Sequence, residues 1–421
     1  MSENLVEHVT CLGCGCACDD IAVTVRDGHI VETTPPCPVG RAWFGDGTVP
    51  WDVLRAGKST ALDDALDEAS NLLSQSRGRL LVYLGPDLSS QAQRIAVGIA
   101  DFLRATVDTA TSDTAATGLL AGQRRGRATA TLGEIRNRAD VLLFWGVDPN
   151  RRYPRFLSRY ALEPAGTQVP DGRAGRFVIA VSIGADAGPA GADSTLTLKP
   201  EEEIAALSLM RAAVLDRPTH EVPAPYNDVV SLVPRLTGGR YAVVVHDAEP
   251  TAEPRNPLRA EALIGLVQAL NGPTRAALCS LRAGGNRPGA ESVLTWQTGY
   301  PLAVDYSRGY PRYTPGERGL ARLVAGGFGA ALVLGSPVLD APTASVLERI
   351  STVAIGPRAS QAAFKARVTI DTGVAGIHEE GTGYRMDEVP LSLRPPLQGR
   401  RSTSETLGAL AERVRLQGKA G

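Results

Sequence analysis

Five of the six cysteines of this 421-residue chain lie within its first 37 residues, four of them inside the run Cys11-Leu-Gly-Cys14-Gly-Cys16-Ala-Cys18-Asp-Asp. Read as Cys11-x2-Cys14-x3-Cys18-x18-Cys37, the spacing puts three thiolates on one loop and brings a fourth back from farther along, the pattern that holds a cubane iron–sulfur cluster. Cys11, Cys14, Cys18 and Cys37 are therefore the candidate metal ligands, and Cys16 is the spare. Zinc uses the same donors, but usually as two Cys-x2-4-Cys pairs, whereas Cys37 stands alone. Structural disulfides need an oxidising compartment, and the short, polar stretch from Met1 to Thr10 does not resemble a signal peptide. A cytoplasmic location is the expectation. A further alternative is a relic, a loop kept for its fold after the metal was lost.

The elements around the cysteines are those that would position them. Ile21-Ala-Val-Thr-Val25 and His29-Ile-Val-Glu-Thr33 flank Arg26-Asp27-Gly28, and an Asp-Gly pair between short apolar runs predicts a hairpin that carries Cys37 back to the loop. Pro35, Pro36 and Pro38 stiffen the chain there, so closure by a metal would cost less entropy. Gly45-Asp-Gly47 and Pro50 end this Cys-rich module, placed at residues 1–55.

Residues 56–395 alternate strand and helix patterns. Leu80–Leu84, Val141–Trp145, Arg176–Val181 and Tyr241–Val245 are apolar runs stopped by glycine, proline or polar residues, and Ala276–Leu281, Ala330–Leu334 and Thr352–Ile355 follow suit. Helical spacing is read at 61–73, 91–104, 201–215, 258–270, 344–350 and 361–366. The fold class is α/β, with Rossmann-like layers of mostly parallel sheet, and residues 396–421 read as a polar tail. Ligands in such sheets sit beyond the carboxyl ends of the strands, but no phosphate-binding glycine fingerprint follows any of them.

Forty-four basic against 45 acidic residues leave no electrostatic footprint for nucleic acid, and no apolar run reaches the roughly 18 residues of a membrane span. His8, His29, His220, His246 and His378 never fall at metal-ligand spacing. His246, followed by Asp247 at a strand end, stands where a site residue would. Arg124-Arg125-Gly-Arg127 and Arg151-Arg152-Tyr-Pro-Arg155 are candidate anion clusters or solvated arginines. Tyr300, Tyr306, Tyr310 and Tyr313 line a Gly/Pro-rich loop, either a partner contact or a packed lid.

Several stretches together resemble the B subunit of formylmethanofuran dehydrogenase, a branch of the molybdopterin oxidoreductases. They are the cysteine loop with Asp19-Asp20-Ile21, Thr131–Asp140 running into Val141–Asn150 and Pro154-Arg155, Gly285-Asn286, Trp296–Pro301 with Val304–Pro311, and Gly381–Pro390. The resemblance covers nearly the whole chain, in order. It implies domains of the molybdopterin oxidoreductase type without the C-terminal barrel, in a cytoplasmic complex acting on one-carbon units carried by methanofuran or a relative.

One departure bears on activity. In the redox-active family a cysteine or selenocysteine upstream of the Thr-Leu-Gly-Glu motif binds molybdenum or tungsten, whereas Thr111–Ala121 contains no cysteine, and none occurs between Cys37 and Cys279. Ser112 or Asp113 could offer oxygen instead, or this is simply a short polar loop. The resemblance extends to the B subunit of bacterial formyltransferase/hydrolase complexes, and it implies an amidohydrolase-like A subunit, a C subunit and a formyltransferase subunit as partners. Two functions follow as expectations: a structural B subunit with no Mo/W-pterin, its iron–sulfur cluster retained or lost, or a redox subunit carrying a 4Fe–4S cluster and a Mo/W-pterin.

Overall fold

The computed structural model describes residues 3–217, 222, 226–250 and 255–420. The chain forms two compact units, one of Met1–Gly13, Ala17–Thr111 and Gly284–Gly421, the other of Cys14–Cys16 and Ser112–Ala283.

The first unit is built on a nine-stranded sheet whose five central strands are parallel, in the order Thr106–Thr109, Leu80–Leu84, Ala330–Leu334, Ser351–Gly356 and Val368–Asp371. Side chains alternate across a strand, so Leu80, Val82 and Leu84 join one core while Leu81 and Tyr83 join the other. Burial on both faces is why these strands are continuous apolar runs. The first face is covered by helices Leu62–Gln75, Ser90–Phe102 and Thr403–Ala420, the second by Gly319–Val324 and Ala341–Arg349. Residues 396–421, read as a tail, thus include a helix that buries Leu407, Leu410, Ala411 and Val414 at helical spacing.

The same unit carries a three-stranded antiparallel sheet of Glu3–Val9, Ile21–Arg26 and His29–Thr34. The expected hairpin is present: Asp27 and Gly28 both have positive φ, 47° and 82°, the backbone of the two-residue turn that matches strand twist.

The second unit holds a five-stranded sheet, entirely parallel, in the order Ser194–Leu198, Phe177–Ile183, Val141–Trp145, Tyr241–Asp247 and Arg275–Leu281. Its order reverses direction between Val141–Trp145 and Tyr241–Asp247, the place where such sheets open a crevice. Helices Glu203–Val214 and Arg259–Leu270 cover one face, burying Leu207, Met210, Leu263 and Leu266.

Two readings are corrected. Residues 113–125 are a helix, not a polar loop, and 361–366 hold no α-helix, only the end of a short 3-10 turn at Ala359–Gln361. The first was masked by poor amphipathicity, since only Ala115, Ala116 and Ala121 are buried. In the second, Ala362 and Phe364 pack against the core from irregular chain.

Candidate functional site

The cysteine loop is closed by a backbone bond from Cys11 N to Cys18 O, 2.9 Å, with Ala17 at positive φ. Cys37 sits at the N-cap of the helix Pro38–Phe44, with Pro38 at the first helical position, where its missing N–H costs nothing. A Cβ placed on Gly40 would stand 3.5 Å from Cys11 Sγ and 4.0 Å from Cys37 Sγ, so both sulfurs lie beside the same point of the helix Pro38–Phe44. In the other unit, hydrogen bonding from Cys16 lowers the Cys14 thiol against its own burial, with Arg155 adding to the effect. Cys16 is fully buried and hydrogen bonded with Cys14, and Cys279 is a buried thiol in its strand. Among the described residues, no group of three or more Cys, His, Asp or Glu side chains is arranged to hold a metal ion.

In the second unit the strand ends gather a cluster of charges. Ser112 caps its helix, accepting from Ala115 N at 3.2 Å, and donates to Glu249 Oε1 at 2.6 Å. The other Glu249 oxygen accepts from Ala283 N at 2.8 Å. The Ser112 oxygen is thus engaged on both counts. Asp247 accepts from Arg152 Nη1 at 2.6 Å and from Glu249 N at 2.8 Å, while burial pushes its carboxyl up against the pull of Arg152. Arg152 is therefore the half-buried partner of a buried carboxylate, and Arg124 and Arg125 pair with Glu261 at 3.2 and 2.6 Å. Arg127 of the first arginine cluster lines a cavity.

The motifs that carried the family resemblance have physical roles. Thr131 and Glu134 form a capping box: Thr131 Oγ1 accepts from Glu134 N at 3.1 Å, and Glu134 Oε2 accepts from Thr131 N at 3.0 Å. Trp145 Nε1 donates to the buried Glu203 at 2.8 Å, and Glu203 also accepts from Arg259 Nε at 2.8 Å and Arg255 Nη1 at 3.2 Å. In the first unit Asn286, fully buried, donates from Nδ2 to Leu88 O and Ser90 Oγ, and accepts from Tyr384 N at 2.7 Å. This ties Gly285-Asn286 to the strand Gly381–Tyr384. Gly285 has φ +85°, and a Cβ there would lie 2.5 Å from Pro86 O, so no other residue fits. Tyr300 and Tyr313 stack 4.9 Å apart and Tyr306 is buried, but Trp296 and Tyr310 are 60% and 54% exposed.

His246 and His378 are both hydrogen bonded as neutral rings, and His220 lies outside the described residues. Carbonyls can only accept, so His246 Nδ1 donates to Asp247 O at 3.2 Å and His378 Nε2 donates to Gly47 O at 2.8 Å. His246 Nε2 meets Ser280 Oγ at 2.8 Å, and His378 Nδ1 accepts from Val374 N at 3.2 Å. Burial lowers both below the ordinary histidine value, with Arg259 acting further on His246 and Arg358 on His378. The unfolded chain then binds more protons in this window, so the stability from neutral histidine is complete above about pH 6.5 and is lost as pH falls below it. The urea midpoint is expected to be lower at about pH 5.5 than at about pH 7.5, and His378→Gln should reduce that difference; an unchanged difference would clear His378 as a source.

No protein-family profile matches the chain. It is 31% identical over 434 residues to the B subunit of the tungsten-containing formylmethanofuran dehydrogenase 2 of Methanocaldococcus jannaschii, covering 98% of this chain and 99% of that one. The corresponding Methanococcus maripaludis protein is 30% identical over 427 residues, covering 97% and 98%. The B subunit of the formyltransferase/hydrolase complex Fhc of Methylorubrum extorquens is 31% identical over 325 residues, covering 76% and 84%. In solved structures, a chain of the formyltransferase/hydrolase complex FhcABCD of Methylorubrum extorquens, crystallised with methylofuran, matches with a TM-score of 0.72 at 25% identity, covering 87% of this chain and 99% of that one. With identities of 30% or more over nearly full length, and the α/β layers and motif contacts above, the chain belongs to the family of formylmethanofuran dehydrogenase B subunits.

Proposed function

We propose that the chain is the B subunit of a cytoplasmic formyltransferase/hydrolase-type complex in methanofuran-linked one-carbon metabolism, such as the formaldehyde oxidation of methylotrophs. Its role there is structural, without redox chemistry of its own. The observation that carries this reading is the stretch Thr111–Ala121: it has no thiol, and Ser112 caps a helix and binds Glu249. Without a soft sulfur donor, a molybdenum or tungsten site loses the ligand that sets its electronics. The partners are an amidohydrolase-like A subunit, a C subunit and a formyltransferase subunit, with a methanofuran-type carrier bound by the complex. Cys11, Cys14, Cys18 and Cys37 are the thiolates a 4Fe–4S cluster would use; in this reading they persist for the fold.

A second reading, a redox catalytic subunit with a 4Fe–4S cluster and a Mo/W-pterin, is favoured by one fact: the two tungsten-containing relatives match almost the entire chain.

The scaffold reading rests also on the exposed aromatic rings of Trp296, in the last turn of the helix Arg287–Thr298, and Tyr310, in the irregular chain that follows. A tagged chain is expected to capture the amidohydrolase-like and formyltransferase subunits, through an interface of more than about 2,000 Å². Expressed alone it should aggregate. A soluble, monodisperse, fully stable monomer with no affinity for the amidohydrolase-like subunit would overturn the scaffold role.

A further inference from the structure

In the second unit the strands Tyr241–Asp247 and Arg275–Leu281 run side by side, with His246 the partner of Ser280 in the parallel register. Side chains alternate across a strand, so His246 and Ser280 stand on the face that carries Ala242, Val244, Ala276 and Leu278. That face is apolar until its last pair. A histidine and a serine add little to such a core and cost desolvation, and they sit at the carboxyl ends of the strands, where sheets of this kind hold ligands.

Both residues line a cavity of about 220 Å³. Ser280 is half-buried and His246 is 4% exposed. Nδ1 of the ring donates to the Asp247 carbonyl at 3.2 Å, and that carbonyl also accepts from Arg259 Nη1 at 2.9 Å. The proton on Nδ1 leaves Nε2 with its lone pair, and Nε2 meets Ser280 Oγ at 2.8 Å, so the serine hydroxyl donates to the ring. A nucleophile within hydrogen-bond reach of a base, with the base oriented by a third group, is the arrangement of serine acyl transfer. Burial and Arg259 keep the ring neutral and so able to take a proton. A carbonyl supports the resulting imidazolium less well than a carboxylate, so turnover is expected to be slow.

We propose that Ser280 is an acyl-accepting nucleophile with His246 as its general base, and that this cavity hydrolyses small uncharged esters. Ser280 Oγ bonds to the acyl carbon as its proton passes to His246 Nε2. Collapse of the adduct breaks the ester bond, and the departing alkoxide takes that proton and leaves as the alcohol. Water repeats the sequence on the acyl-serine, which releases the acid and restores both side chains. Leu119, Pro257, Ile264 and Leu278 give the cavity an apolar wall for the body of the ester. Thr114 and Ala115 bring the first turn of the helix Asp113–Arg125 to the same cavity, and a helix N-terminus favours the negative charge that develops on a carbonyl oxygen under attack. The charged residues on the wall, Asp113, Arg127, Arg255, Arg259 and Arg282, all have partners of their own, so an uncharged ester fits better than an ion. This activity is not redox and stands apart from the scaffold role.

The test treats the complex, purified with its partner subunits, with phenylmethylsulfonyl fluoride, and peptide mapping by mass spectrometry reports which residues of this chain are modified. Ser208, exposed and with its hydroxyl on the Ile204 carbonyl, is the reference within the same chain. Ser280 is expected to react at least about a hundredfold faster than Ser208, and His246→Gln to remove that advantage. Excess p-nitrophenyl acetate should slow the labelling, and the acetyl group it leaves should map to Ser280. Circular dichroism reports whether His246→Gln is folded, and the comparison with Ser208 decides the matter without that variant. The proposal is overturned if Ser280 reacts no faster than Ser208, or if a folded His246→Gln chain is labelled at Ser280 as fast as the native one.

Discussion

Glu203→Gln is expected to lower the stability of the protein by about 3–5 kcal/mol, the cost of breaking a buried ion pair by removing one partner. Glu203 has no exposure and is the shared acceptor of Trp145, Arg255 and Arg259, whose guanidinium groups are themselves buried. Arg255 keeps Asp186 at 2.7 Å, but Arg259 would be left with a buried charge and no paired carboxylate among the described residues. Chemical denaturation should therefore show a lower midpoint with an unchanged slope. The surface pair offers the control: Arg125→Gln, at an exposed arginine whose partner Glu261 keeps Arg124, should leave the midpoint where it is. If the two variants behaved alike, the network around Glu203 would not be holding the unit together.

Asn286→Ala is the second large effect, about 3 kcal/mol, because a fully buried amide that both donates and accepts is removed while its partners stay buried. The loss falls on the Tyr384 N–H, which bonds to Asn286 Oδ1 at 2.7 Å, and on the Leu88 carbonyl at 3.0 Å. The strand Gly381–Tyr384 should then exchange its amide hydrogens faster, and capture of partner subunits should weaken with it. Asn286→Asp keeps the acceptor and should recover part of the stability. A loss below about 1 kcal/mol would mean that the strand is held by other contacts.

The strands were legible because their burial is written in consecutive residues. Leu80–Leu84 is apolar throughout and ends at Gly85-Pro86, and Asp27-Gly28 names its own turn. Thr106–Thr109 was not legible, since it is a fully buried strand made of Thr, Val and Asp. Asp108 is tolerated there because Arg318 Nε and Gly319 N, more than two hundred residues away, both bond to it. The helix Asp113–Arg125 hides for the opposite reason, as its buried face is only alanine; its one local signal is the Ser112 cap. The charged groups that organise the second unit, Glu203, Glu249, Arg255 and Arg259, look like surface residues in the chain. Arg255 and Arg259 are four residues apart, but the partner that buries them lies over fifty residues away. Distant pairing of this kind leaves no local pattern to read. The cysteines were legible as a set of candidate ligands, while their geometry, with Cys11 and Cys37 both beside Gly40, belongs to the fold.

The claim that this protein serves its complex without redox chemistry is tested most directly by quantifying molybdenum and tungsten, per copy of the chain, in the complex purified from its host. The absence of a thiol in Thr111–Ala121 predicts that neither metal is present in stoichiometric amount. One molybdenum or tungsten per chain would contradict the account and return the protein to the redox-active branch of its family.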